Sequence, residues 1–191
     1  MIYILKYNMI LNARQNGFCF LLPKGFLDPS VVQKYEGYVK RMPVPYDTLN
    51  DFINATIQSV NFPTLRTVDT TEQIRPGGFK QTYKSATTLQ NLIQRDFTVT
   101  FKLGEGFINY WIIYENIVKF LDFQNPEQYL PDFRLLLLDN EGIVMSSILL
   151  QQPTVTSLSE LQLNYSSTTP QFSTFSVGFR CNYVNLKLEI G

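Results

Sequence analysis

The hydrophobic pattern of this chain changes period within residues 95–121. Phe97, Val99, Phe101 and Leu103 alternate with Thr98, Thr100 and Lys102, a period of two that predicts a half-buried strand. A turn at Gly104, Glu105 and Gly106 follows. Beyond it Phe107, Tyr110, Trp111, Tyr114, Val118 and Leu121 share one helical stripe, with Asn109, Asn116 and Lys119 off it. The pattern predicts a strand, then a helix whose aromatic stripe packs as core.

The rest of the chain reads mainly as strands. Residues 133–138, FRLLLL, show little alternation and predict a strand covered on both faces. Asp139, Asn140, Glu141 and Gly142 form a hairpin signal, and residues 143–150 return as the partner strand. Leu161, Leu163 and Tyr165 alternate with Gln162 and Asn164, which suggests another strand. Phe175, Val177, Phe179, Cys181 and Tyr183 form a long alternating run. Its phase slips by one at Tyr183 and Val184, after which Val184, Leu186, Leu188 and Ile190 are the apolar set. Such a slip means a bulge or a change of covered face.

The first third is less regular. Residues 1–22 read as strand, turn and strand, or as an extended arm. Pro23, Pro29, Pro43 and Pro45 punctuate the next stretch, where Asp28 and Pro29 have the chemistry of a helix cap and first helical position. Residues 46–52 are ambiguous, and residues 52–60 alternate imperfectly and lean towards strand, stopped by Asn61, Phe62 and Pro63. Residues 64–94 are polar and threonine-rich, with a turn at Gly77 and Gly78. A long polar connection of this kind often contacts a neighbour.

Composition narrows the function more than the fold. The 191 residues suit one domain, or one domain with an arm, and 45% apolar content is enough for a core. The 15 Phe and 11 Tyr favour strands and interfaces. Sixteen basic residues balance sixteen acidic ones, so the chain lacks the basic footprint of a nucleic-acid grip. Lys24, Lys34, Lys40 and Arg41 are the densest basic stretch and read as solvated surface.

Histidine is absent, which removes the commonest general base, the commonest metal ligand and every Ser-His or Cys-His arrangement. Cys19 and Cys181 form no CxxC pair, and Cys181 reads as a buried, reduced thiol, though a disulfide to Cys19 stays open. Asp122, Glu127, Asp132, Asp139 and Glu141 each lie near Pro, Gly or Asn and read as caps and turn formers. A glycosidase-like pair would need two of them to converge in a cleft. No catalytic, cofactor-binding or metal-binding residue is assigned, and the chain reads as a non-enzyme. Apolar runs stay short of the ~18 residues of a membrane span, and the interrupted start lacks a signal-peptide core. The expectation is a protein made and used without export.

The order of these parts carries a resemblance. A strand ending at Asn61, Phe62 and Pro63 leads into the polar hairpin region, then the strand Phe97, Thr98, Val99, Thr100, Phe101, then a helix bearing Trp111 and Ile112. A hairpin of apolar strands follows, and the chain closes with Leu163, Asn164, Tyr165, Ser166 and the alternating run from Phe175 to Tyr183. Over about residues 55–188 this resembles the tail tube proteins of contractile-tailed bacteriophages, the tube-initiating proteins of their baseplates and the related type VI secretion tube proteins.

The resemblance implies a mainly β fold, a β-sandwich or half-barrel with one flanking helix. Residues 51–191 would form this domain, and residues 1–50 an arm packing on the core or on a neighbour. Six subunits would join edge to edge into a ring, pairing strand edges that are a liability in a monomer. Rings would stack into a conduit for DNA ejection, with DNA only a passenger, and a neutral chain would not hold it. Residues 67–94 would reach an adjacent subunit or ring. Partners would be other copies and other tail or baseplate proteins, in a virion tail assembled in the host cytoplasm. The alternatives are a specialised tail-end or baseplate ring of the same fold and, from another class, a carbohydrate-binding or carboxylate-based β-sandwich module.

Overall fold

A computed structural model describes residues 17–42, 46–62, 71–74, 76–83, 95–161 and 173–188. The strands are β1 (Phe18–Leu21), β2 (Ile57–Asn61), β3 (Thr71–Ile74), β4 (Lys80–Tyr83), β5 (Asp96–Lys102), β6 (Phe133–Leu138), β7 (Val144–Gln151), β8 (Thr154–Leu158), β9 (Thr174–Arg180) and β10 (Tyr183–Leu188). The helices are α1 (Pro29–Val39), α2 (Leu49–Ala55) and α3 (Ile108–Phe120). Two four-stranded sheets, ordered β1-β6-β7-β10 and β2-β5-β9-β8, are antiparallel throughout, and β3 and β4 form a separate hairpin. The fold is mainly β, and the two sheets do not close into a barrel within one chain.

The strongest alternation builds the core. Phe97 faces Phe179, Val99 faces Val177 and Phe101 faces Phe175 across β5 and β9, all buried. The two Phe pairs stack at 5.2 and 5.1 Å between ring centroids, the cross-strand contact that stabilises a sheet. From the other sheet Phe133 meets Phe97 and Phe179 edge-on at 5.8 and 5.1 Å. Phe20 and Phe26 close the cluster at 5.7 and 5.9 Å from Phe133. Residues before position 50 thus share this core: Phe20, Leu22, Phe26, Val31, Val39 and Leu49 are all buried in it.

The phase slip near Tyr183 has a structural cause. Cys181 still bonds the β5 side, its N–H donating to the Arg95 carbonyl at 3.0 Å, whereas the Asn182 N–H donates to Gln151 of β7 at 3.0 Å. The single long run is therefore two strands in two sheets. The chain also changes sheets between β7 and β8, where Gln152 takes a φ of 51°.

Three sequence expectations are corrected. The strand leaning over residues 52–60 holds only from Ile57, because residues 49–55 are helix α2. The Thr48 side chain accepts from the Asp51 N–H at 3.1 Å, and Leu49, Phe52 and Ile53 bury one helical face. Leu161, where a further strand was expected to begin, is not in a strand, since β8 ends at Leu158, and the rest of that expected strand, with Leu163 and Tyr165, lies outside the described residues.

The third correction concerns the face of α3. Its buried residues are Ile108, Asn109, Tyr110, Ile112, Ile113, Asn116 and Ile117, whereas Trp111, Tyr114, Val118 and Leu121 are exposed. The isoleucines pack against the core. The two asparagines are buried because each satisfies backbone groups, a role that periodicity does not reveal. Asn109 Nδ2 donates to the Lys102 carbonyl at 2.6 Å, and its Oδ1 accepts from the Gly104 N–H at 2.9 Å. Asn116 does the same for the segment entering α1, as Nδ2 donates to the Phe26 carbonyl at 2.9 Å and Oδ1 accepts from the Asp28 N–H at 2.7 Å.

Three local expectations hold, whereas β6 is covered on one face only, with Arg134 exposed. Asp28 caps α1, accepting from the Ser30 N–H at 2.8 Å, with Pro29 first in the helix. Asp139 closes the β6–β7 hairpin by accepting from the Glu141 and Ile143 N–H groups at 2.8 Å each. Gly77 and Gly78, at φ 100° and 79°, turn the β3–β4 hairpin. Most of the rest of residues 64–94 lies outside the described residues.

Candidate interaction surfaces

Three of the five acidic residues singled out in the sequence accept from backbone N–H groups. Asp122 accepts from the Gln124 N–H at 3.1 Å, Asp132 from the Gln152 N–H at 3.0 Å, and Asp139 closes its hairpin as above. The Glu127 N–H is itself capped by Asn125 Oδ1 at 3.0 Å. Among the described residues no group of three or more His, Cys, Asp or Glu could hold a metal ion. Both cysteines are free thiols. Cys181 is buried, which pushes its pKa up, and its Sγ donates to the Arg95 carbonyl at 3.4 Å, so it is a packing group and a poor nucleophile. A cleft of about 390 Å³ is lined by Asp28, Asn116, Glu127 and neighbours, and Asp28 and Asn116 there already hold the α1 entry together.

Two residues of the basic stretch form exposed ion pairs. Lys34 Nζ lies 2.6 Å from Glu115 Oε1, and Lys40 pairs one helical turn back with Glu36 at 2.9 Å. The Lys34 ammonium, and then the Tyr35 hydroxyl, hold the Glu115 carboxyl below its usual pKa. Arg180 does the same for Asp96 through two hydrogen bonds. Both carboxylates are depressed in the fold, so their contribution is complete above the ordinary carboxylate range and fades as pH falls through it. Acidifying from about pH 5 to pH 2 should therefore lower the melting temperature less in an Asp96→Asn, Glu115→Gln double variant than in the parent. Equal slopes would show that the pairs contribute nothing.

Two uncovered surfaces stand out instead. The first is β10. Register places Phe20, Leu135, Ile148 and Leu186 in one row across the first sheet, all on its inner face. Their exposure runs 4%, 5%, 7% and then 65%. The next row ends the same way, with Leu188 opposite Ser146 and 64% exposed. The apolar face of the sandwich thus runs past its own cover. Among the described residues no strand pairs with the outer edge of β10, an arrangement soluble monomers normally blunt.

The second is the outer side of α3. Trp111 is 46% and Tyr114 44% exposed, and the side chains of Phe107, Val118 and Leu121 are also open to solvent. Periodicity found these residues but assigned them to the core. The signal that separates the two faces is spacing, because the exposed set falls at intervals of four, three, four and three residues, a narrow seam and not a broad core stripe.

No family model matches the chain, and no curated protein matches it. Solved structures do. The tube-terminating cap of the anti-feeding prophage superposes with a TM-score of 0.52 at 12% identity, over 98% of this chain and 99% of that one. The chain shares the fold of a tube-terminating cap protein. A sheath/tube terminator of the extracellular contractile injection system PVC matches at 17% identity over 69% of this chain and 84% of that one, with a TM-score of 0.43. An Hcp protein matches at 13% identity over 69% and 76%, with a TM-score of 0.36. Among the described residues no helix of this cap-like fold is long and apolar enough to cross a membrane.

Proposed function

We propose that this chain is a non-enzymatic structural protein of a phage-like contractile tail, forming a ring that ends the tube. The observation that carries this reading is the end-to-end likeness to a tube-terminating cap. The uncovered β10 row supports it, because an apolar sheet face that continues past its cover is what a neighbouring copy would complete. Six copies meeting edge to edge would form the ring. Its partners would be the last tube ring and other tail proteins. DNA or another cargo would pass through the lumen as a passenger. Assembly would take place in the host cytoplasm and the finished protein would sit in the tail particle. Residues 1–50 serve in this reading as part of the terminal specialisation.

Electron microscopy of the purified chain tests it. A cap gives single rings that do not lengthen as concentration rises. Stacked tubes would instead identify the repeating tube subunit, and a chain that stays monomeric would contradict both. A Leu186→Lys, Leu188→Lys variant should keep its fold, since both side chains are exposed in the single chain. It should lose the ring, with a dissociation constant raised about 100-fold or more, because burying each leucine is worth about 1.5–3 kcal/mol.

A further inference from the structure

We infer that the edge of β10 pairs with β1 of the next copy, the opposite edge of the same sheet, so that the first sheet runs unbroken from subunit to subunit. The inference rests on the proposed ring and names the joint that closes it.

A ring needs a head-to-tail interface, in which one surface of each copy meets a different surface of the next. β10 is one of the two. Among the described residues the four-stranded sheets leave β1, β2 and β8 as the other edges that could receive it. Both edges of the second sheet are interrupted. The register of β2 shifts between Ile57 and Ser59, and that of β8 between Val155 and Ser157. A bulge bends an edge strand away from a straight partner and is a common way to blunt an edge. Both edges of the first sheet are regular. β1 keeps register with β6 over all four of its residues, and β10 with β7 over all six. No proline or charge lies within β1. The one charge of β10, Lys187, lies in the row of Cys19, Leu136 and Ser147 on the outer face of the sheet.

Strand direction agrees. Neighbours in the first sheet are antiparallel throughout, and with four strands β1 and β10 run in opposite directions. A copy added head to tail therefore sets its β1 antiparallel to β10, the hydrogen-bond pattern already used at every other joint of the sheet. Burial agrees as well. The inner face is covered up to its β1 end, where Phe20 is 4% exposed, and bare at its β10 end, where Leu186 and Leu188 are 65% and 64% exposed. Joining β10 to β1 sets the bare end of one sheet against the covered end of the next, beside the cluster of Phe20, Phe26 and Phe133. Two copies meeting β10 to β10 would instead be complete as a pair and leave no ring.

Cys19 on β1 is a built-in reporter, half-buried where Cys181 is fully buried. Lys187→Cys or Asn185→Cys places a second thiol on the outer face of β10, and a short bis-maleimide spans both direct and diagonal cross-strand neighbours. Either variant of the full chain should give a ladder of covalent species up to six copies, and Cys19→Ser should abolish it. In that Cys19→Ser background, pairing the β10 thiol with Gln58→Cys on β2 or Thr156→Cys on β8 should link on the order of tenfold more slowly, since those edges are not held at high effective concentration. Faster linking to either edge of the second sheet would overturn the inference. So would a product that stops at two copies and survives Cys19→Ser, which would show β10 meeting β10. Micrographs of the same samples keep the two readings apart. A ladder from open chains without rings would sink the proposed ring and leave the strand pairing. Rings without linking to Cys19 would do the reverse, and a chain that gives neither would overturn both.

Discussion

Phe133→Ala is expected to remove about 3–5 kcal/mol of unfolding free energy, the range for truncating a fully buried Phe. Phe133 has no exposed surface and is the ring on which both sheets meet. It touches Phe97 and Phe179 of one sheet, Phe20 of β1, and Phe26 ahead of α1. These partners come from three separate stretches of chain, so no single movement can refill the space. The urea midpoint should fall sharply with little change in slope. Phe123→Ala serves as the control. Phe123 is fully exposed, and its loss should stay within about 0.5 kcal/mol in the isolated chain. A Phe133→Ala cost as small as that would mean the two sheets do not share this ring.

Asn116→Ala is the second large effect, at about 2–4 kcal/mol, because it strands two backbone groups at once. The Phe26 carbonyl and the Asp28 N–H both depend on the one amide, and the residue is 3% exposed. Asp28 is also the cap of α1, so the loss passes to the helix that carries Lys34. Hydrogen exchange should show the Asp28 amide and the first turn of α1 losing protection, while β5 and β9 change only with the global stability. Uniform loss of protection would indicate that Asn116 does not tie α1 to α3 in particular.

The sequence was most legible where one face of a strand is buried and the other wet. Phe97, Val99 and Phe101, with Phe175, Val177 and Phe179 opposite, announced both strands and their inward faces. The β6–β7 hairpin was legible from Asp139 and Gly142. The slip at Tyr183 was visible as a break in phase, but its cause, a step between sheets at Asn182, depends on which strands lie nearby. Helix α2 was hidden because a helix this short leads almost directly into β2, and the two periods overlap in the sequence. The existence of α3 was legible and its orientation was not. Apolar residues lie on both sides of it, and the choice between them is made by the isoleucines that fit the core and by Asn109 and Asn116, which bury polar atoms to serve the backbone. The candidate surfaces share that character. Leu186 and Trp111 look like core residues until the structure shows that nothing in the described chain covers them.

The ring is the central claim, and native mass spectrometry of the purified full chain tests it most directly. The expected spectrum is dominated by a closed assembly of six copies of the 22.1 kDa chain, which collapses to monomer in the Leu186→Lys, Leu188→Lys variant. A parent chain that remains monomeric at tens of micromolar, far above the working range of a stable interface, would contradict it.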